Sequence, residues 1–397
     1  MAKSNNKIIC MIAQASYPGD PRIRRQAEAL DKAGFEVDVL CRPSGSQKKV
    51  EKFGKVTAYR LVNAPRQDSI VKWIYFSSLF FVMAFIKIQF LYLKRKYSVI
   101  QIHNMPDHLI FSAIVQKIFR VPLVIDIHDL TVEMFQEKWE GKKRPFIIGL
   151  AKFLEKISLI VASEVITVTT TCKERLVSRG VPASKITLVL NTPNEDVFEF
   201  DKGRVFKTIE KDLRLVYYGT VAKRFGIHVA VQAMPAILEK IPGSQFNIYG
   251  PFDAEYGNFL EELIKNKGLE NNVSLKEKVT REKIPGIIRK SDIGLVPYLS
   301  TDYMHLALPT KAFEYIAAGL PVVSTFLEDL SKSFSDKSIT YVKSGDPEDL
   351  AIKIYFLSQN PDIRKTMTLN AYNEMRKISG TVMSNRYVNL MTNLISK

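Results

Sequence analysis

The sequence predicts an α/β protein made of two doubly wound parallel-sheet domains in series. Three observations carry that prediction. Short β-branched runs alternate with amphipathic segments along the chain, as strand–helix–strand crossovers require. The 397 residues exceed what a single core is expected to hold. A polar stretch, Thr192 to Lys211, interrupts the alternation near the middle. The expected domains are therefore residues 1–195 and 205–378, with a C-terminal helix over 380–397 packing back on the first. The cleft where two such domains face each other is the expected ligand site.

Each element follows from local chemistry. Lys7 to Ala13 reads as the first strand. Asp20 then offers a helix cap and Pro21 a first helical residue. Over Pro21 to Ala33, Ile23, Ala27 and Leu30 recur at three- and four-residue spacing on one face, and Gly34 stops the helix before a strand over Glu36 to Cys41. Ser98 to His103, Pro122 to Ile127, Glu164 to Thr169 and Lys185 to Leu190 are further apolar strands, with a helix over Leu109 to Phe119 between the first two. In the second half, strands are expected over 213–219, 245–249, 273–276, 293–297, 322–325 and 338–342. Helices over Ile227 to Lys240 and Ala254 to Lys267 fill gaps between them. Pro361 onward reads as helical and mostly polar.

Composition narrows the classes. Hydrophobic residues at 46% and charged residues at 25% suit a globular chain rather than a disordered one. The start leads directly into the first strand, with no apolar run long enough for a signal peptide. Cys10, Cys41 and Cys172 are widely spaced, and no Cys-x-x-Cys or Cys/His pair of metal spacing occurs. A reducing cytoplasmic setting without structural zinc is the expectation. The net charge of +16 is uneven, with 30 Lys/Arg against 19 Asp/Glu in residues 1–200. Such a basic half points to an anionic partner, either a phosphorylated substrate or a membrane surface. The scattered basic residues and the lack of any recognition motif argue against nucleic acid. Trp73 to Leu93 is long and apolar, and its uncharged core of fourteen residues is flanked by Lys72 and Lys87. Three readings stand for it: a core helix, a helix in the membrane interface, and a span, for which the fourteen-residue uncharged run is short of the roughly 20 needed.

Three places could carry chemistry. In Tyr217 to Gly226, a strand ends at Gly219 and a helix opens at Gly226, with Lys223 and Arg224 between. A diphosphate needs close backbone amides and cations, and as a leaving group it gains charge in the transition state. In Pro309 to Val323, Thr310 and Lys311 begin a short helix that Gly319 closes, and Glu314 lies near enough to its N-terminus to accept from sugar hydroxyls. In Ile125 to Leu130, His128 and Asp129 follow a buried strand at its carboxyl end, where α/β ligand sites form. His103 and Asp107 follow the preceding strand with a weaker case. The loop ending in Gly19 and Asp20, followed by Arg22, could close on a phosphate or on an acceptor, or form a basic face.

These blocks resemble glycosyltransferase family 4, retaining enzymes of the GT-B fold, over most of the chain. Pro21 to Leu30 with Ala33 to Val37 is similar to the family's first helix and strand. Ile125 to Leu130 is similar to the strand whose His borders the transferred sugar, which implies that role for His128. Leu188 to Pro193 resembles the end of the N-terminal domain. Tyr218 to Gly226 resembles the phosphate loop, implying Lys223 and Arg224 on the diphosphate, with Gly219 and Thr220 also on the donor side. Lys311 to Pro321 is the most specific block, implying Glu314 on the donor ribose with Thr310 and Lys311 beside it. Gly19 is implied on the donor side, and Arg22 and Asp129 on the acceptor side. Two positions depart from the family: Leu306 stands where a first Glu is common, and Thr220 where an Arg is common. The resemblance implies two Rossmann-like domains and transfer from a nucleotide sugar to a glycan acceptor, lipid-linked in surface polysaccharide assembly. With no Asp-x-Asp motif, no metal cofactor is expected. A nucleotide-sugar 2-epimerase on the same scaffold and a catalytically weak scaffolding protein of a polysaccharide assembly complex are the alternatives.

Overall fold

A computed structural model describes residues 7–63, 70–138, 145–192, 198–252 and 254–396. The chain divides into two compact units: Met1–Leu190 with Met383–Lys397, and Asn191–Val382. Pro193 and the expected domain end at residue 195 lie outside the described residues.

Unit 1 contains, in order, β1 (Ile8–Ser16), α1 (Pro21–Lys32), β2 (Glu36–Arg42), β3 (Val50–Phe53), β4 (Val56–Arg60), α2 (Ile70–Arg95), β5 (Val99–His103), α3 (Ile114–Ile118), β6 (Leu123–Ile127), α4 (Thr131–Lys138), α5 (Pro145–Val161), β7 (Glu164–Thr167), α6 (Thr170–Ser178) and β8 (Ile186–Leu188). Its eight strands run in the order β3-β4-β2-β1-β5-β6-β7-β8. All neighbours are parallel except β3 and β4, an edge hairpin that the sequence reading did not anticipate. Both are short: β3 is exposed or half-buried throughout, and β4 alternates buried Val56, Ala58 and Arg60 with half-buried Thr57 and Tyr59, so neither shows the apolar run of the central strands.

α1 shows how local rules set the scaffold. The Asp20 carboxylate accepts from the Arg22 N–H at 2.9 Å, capping the helix. Ile23, Ala27 and Leu30 are its buried residues. The expected helix over Leu109 to Phe119 is instead a 3-10 segment, Asp107–Ala113, running into the short α3. α2 is one continuous helix and by length and composition could cross a membrane, yet only 28% of its most apolar window is buried. It is therefore not the wholly buried core helix that one reading of the sequence expects.

Unit 2 continues with β9 (Arg214–Tyr218), α7 (Ile227–Lys240), β10 (Gln245–Tyr249), α8 (Ala254–Asn266), β11 (Val273–Lys276), α9 (Ile284–Arg289), β12 (Ile293–Val296), α10 (Asp302–Leu306), α11 (Thr310–Ala317), β13 (Val322–Thr325), α12 (Glu328–Ser333), β14 (Thr340–Val342), α13 (Pro347–Gln359) and α14 (Pro361–Arg376). Its six strands run β11-β10-β9-β12-β13-β14, all parallel. The direction of the crossovers reverses between β9 and β12, which puts a topological switch point beside the carboxyl end of β9. The last helix, α15 (Gly380–Ser396), belongs to unit 1 from Met383 onward. There the Tyr387 hydroxyl donates to Gln101 Oε1 at 2.6 Å and Arg386 to the Leu188 carbonyl at 3.1 Å.

Candidate functional site

In unit 2 the candidate residues gather at that switch point. After β9 the backbone turns through Gly219 (φ +118°), and Val221 bridges to Phe252 beyond β10. Lys223 and Arg224 lie exposed on a 3-10 turn, the Arg224 guanidinium 4.9 Å over the Phe225 ring. Gly226 then takes φ +62° and opens α7. A Cβ there would lie 1.8 Å from the Pro297 carbonyl oxygen, so no other residue fits. The exposed cations thus sit on the turn that directly precedes the N-terminus of α7, an arrangement that suits an anion.

The second block supplies a carboxylate and a buried cation. Pro309 precedes α11, and Thr310 stands exposed at its first position. Glu314 is half-buried and accepts a short hydrogen bond from the Tyr218 hydroxyl at the end of β9. Lys311 is turned inward. Its ammonium donates to the Tyr298 hydroxyl at 2.6 Å and the Tyr217 hydroxyl at 3.1 Å, and lies over the Tyr217, Phe225 and Tyr298 rings. A Cβ on Gly219 would sit 3.3 Å from its Cε, so the lysine runs directly beneath the glycine turn. Burial lowers its pKa from 10.5 to about 7, with the Glu314 charge opposing that shift. Leu306 is buried at the end of α10, while Asp302 is exposed in that helix's first turn.

In unit 1 the candidates meet at the carboxyl ends of β1, β5 and β6. Arg22 is engaged by Asp20 through Nε and Nη2, at 3.2 and 2.9 Å. Burial would raise the Asp20 pKa, but the Arg22 contacts hold it below the usual carboxylate value. Gly19 sits in the preceding turn, where a Cβ would meet Ser16 Oγ at 2.3 Å. Asn104 staples the next loop: its Oδ1 accepts from the His128 N–H at 2.9 Å, and its Nδ2 donates to the half-buried Asp129's carbonyl at 2.7 Å. Glu133, just beyond, pairs with Arg179.

His128, which the resemblance sets beside the transferred sugar, turns both ring nitrogens toward protein groups. Its Nε2 lies 3.2 Å from His103 Nδ1, and its Nδ1 lies 3.3 Å from Asp126 Oδ1. Both ring nitrogens therefore face inward. Asp126 is fully buried and accepts from Gln26 at 2.7 Å and from Gln101 at 3.2 Å. Burial pushes its carboxyl up to about 7, pulls His103 down to about 3, and keeps His128 neutral well below the ordinary imidazole range. His103, Asp126 and His128 are also the group, among the described residues, whose ligand atoms come within 4.8 Å and could hold a metal ion. Sequence reasoning gave His103 a weaker case and missed Asp126, Gln26, Gln101 and Tyr218. A lone Asp in the buried strand Leu-Val-Ile-Asp-Ile and a lone Gln in Val-Ile-Gln-Ile-His were the available signals, since buried parallel strands are otherwise apolar.

Two doubly wound parallel sheets in one chain, with a glycine turn, two cations and a carboxylate at the switch point of the second, define the class: a two-domain α/β scaffold of the GT-B type. Solved structures share it. Sucrose-phosphate synthase from Thermosynechococcus elongatus superposes with a TM-score of 0.76 at 19% identity, over 98% of this chain and 99% of that one. HepE from Anabaena, solved with UDP and glucose, gives 0.71 at 14% identity, over 97% and 99%. Residues 200–374 match the family model for glycosyl transferases group 1, and residues 19–192 match that for a glycosyl transferase 4-like domain. The chain thus belongs to the family 4 glycosyltransferases. A curated relative from Bacillus subtilis strain 168, TuaH, named as a candidate teichuronic acid biosynthesis glycosyltransferase, is 35% identical over 97 residues. That match spans 24% of this chain and 23% of the relative.

Proposed function

We propose that the protein transfers a hexose from a nucleoside diphosphate sugar to a hydroxyl of a glycan acceptor, with retention and without a metal ion, in surface polysaccharide assembly at the cytoplasmic side of a membrane. The observation that carries this reading is Glu314, held by Tyr218 at the switch point next to the Gly219–Gly226 turn. A ribose diol needs a fixed carboxylate acceptor, and a diphosphate needs the amides and cations that this turn offers. Lys223 and Arg224 meet the two phosphates and stabilise the charge that grows as the glycosidic bond breaks. The UDP and UDP-glucose held by HepE on the same fold support a nucleotide-sugar donor. The name of TuaH supports a polysaccharide product. Leu306 offers no carboxylate nucleophile, so displacement occurs on one face of the sugar, with the leaving phosphate taking the acceptor's proton. In unit 1, Arg22 and Asp129 face the acceptor, and His128 positions the transferred sugar through the loop it anchors. The lipid-linked acceptor accords with the basic first half of the chain.

The test is thermal stabilisation by a panel of UDP-, GDP-, ADP- and CMP-sugars. A ligand at a hundredfold excess over its dissociation constant stabilises the native state by about 2.7 kcal/mol. One nucleotide class should raise the melting temperature, and Glu314→Ala and Lys223→Ala/Arg224→Ala should each lose the shift. No shift with any donor, in folded protein, would overturn the transferase reading in favour of a scaffolding role. Conversion of the donor sugar without acceptor would indicate an epimerase.

A further inference from the structure

α2 carries two apolar faces back to back. Phe80, Ala84, Ile88 and Leu91 are buried. At 100° per residue, Val71, Tyr75, Val82, Ile86, Phe90 and Leu93 form an opposing stripe about 100° wide. All six are exposed, Tyr75 at 62%, Phe90 at 64% and Leu93 at 69%. The stripe does not stand alone. The connections β4 to β5, β5 to β6 and β6 to β7 all advance the same way across the sheet. Right-handed crossovers then lay α2, α3 and α5 on one face of it. Side-chain contacts agree: Gln116 next to α2 donates to Gln89 at 2.8 Å, and Ser158 on α5 donates to the Asp107 carbonyl at 3.0 Å. α5 turns Phe146, Leu150, Phe153 and Ile160 outward, and Ile118 and Phe119 close α3, at 75% and 65% exposed.

Among the described residues, the exposed charges carried by α2, α3 and α5 are all positive. Lys72, Lys94, Lys96, Arg120, Lys152 and Lys156 are exposed. No Asp or Glu occurs in α2 or α3, and the one acid of α5, Glu155, is buried against Arg179. Apolar area this large is costly in water, and helices whose exposed charges are cationic complement an anionic, not a neutral, apolar phase; an exposed acid at their edge, Glu36, is paired with Arg95. We propose that this face of unit 1 docks on an anionic lipid bilayer, with the outer stripe of α2 and the outward residues of α5 entering the interface while the inner face of α2 stays on the sheet. A spanning helix would have to strip Phe80, Ala84 and Ile88 from the core, so the bilayer is lain upon rather than crossed. This docking stands independently of the transfer reaction.

The experiment is flotation of the full-length protein with vesicles of phosphatidylcholine alone and with phosphatidylglycerol added. Binding should be roughly tenfold tighter or more on the anionic vesicles, and high salt alone should not release all of it. Ile86→Ser/Phe90→Ser and Phe153→Ser should each weaken binding severalfold while keeping the wild-type circular dichroism and melting temperature. Val205→Ser, an exposed apolar residue of unit 2, should change nothing. Failure to bind anionic vesicles, full release by salt, or wild-type binding by the stripe variants would each overturn the proposal. So would a solution dimer, seen by light scattering, that the same variants dissolve and vesicles do not compete with, since the stripe would then be covered by a second copy.

Discussion

Replacing Lys311 by methionine separates what a buried cation costs the fold from what it gives the site. In the native state its ammonium has a pKa of about 7 rather than 10.5 because burial removes it from water. That difference corresponds to about 5 kcal/mol between its two charge states. The folded pKa is depressed, so the neutral amine's contribution is fully present above about pH 10.5 and is lost as pH falls through about 7. About 3 kcal/mol of that loss falls between about pH 9.5 and pH 7. Methionine has similar length and no titration. Lys311→Met should therefore gain about 3 kcal/mol of stability relative to wild type on going from about pH 9.5 to pH 7. At any single pH the variant also loses the Tyr298 hydrogen bond and the contacts with three rings, a loss of about 1 to 3 kcal/mol that the pH comparison cancels. The assay is urea unfolding followed by circular dichroism at the two pH values. Equal pH slopes in the two proteins would refute the reasoning and make Lys311 a cation held charged by its ring of aromatics. If the lysine serves a diphosphate through the Gly219 turn, the stabler variant will also bind nucleotide sugar more weakly.

Three further outcomes follow from particular atoms. Gly226→Ala should cost unit 2 more than about 3 kcal/mol, because its Cβ would overlap the Pro297 carbonyl. Gly345→Ala, at a similar φ with open space around it, should cost only about 1 kcal/mol, and thermal melts compare the two. Asp126→Asn should remove a neutral-range inflection from the pH profile of kcat/KM, since burial pushes that carboxyl up to about 7. Its raised folded pKa means its contribution is present below about pH 4 and lost as pH rises through about 7, so the variant should also be relatively more stable above neutrality. Prolonged treatment with a chelator should leave transfer unchanged. Activity lost to chelator and restored by a divalent ion would point to the His103, Asp126 and His128 cluster as its holder.

Much of the fold was legible because it is written in local signals. The capped first helix with its Ile23, Ala27 and Leu30 face, the strand at 322–325 and the glycine-terminated helix before it depend on residues within a few positions of one another, where periodicity and capping act. The family resemblance was equally local, carried by contiguous blocks. Other features were not legible. The β3–β4 hairpin has no apolar run to announce it. The inward turn of the His128 ring, the Tyr218 hydroxyl on Glu314 and the Tyr387 hydroxyl on Gln101 join residues 25, 96 and 286 positions apart. The two-sided character of α2 also escaped pattern, because a helix apolar all round gives the same sequence whether one face or both are covered. The sequence by itself therefore determined the elements, the glycines that let backbones approach and the residue types at the site. Tertiary structure alone decided which polar groups meet, which way the histidine points and which apolar face is left for a partner, because those outcomes depend on burial and long-range pairing that no local window contains.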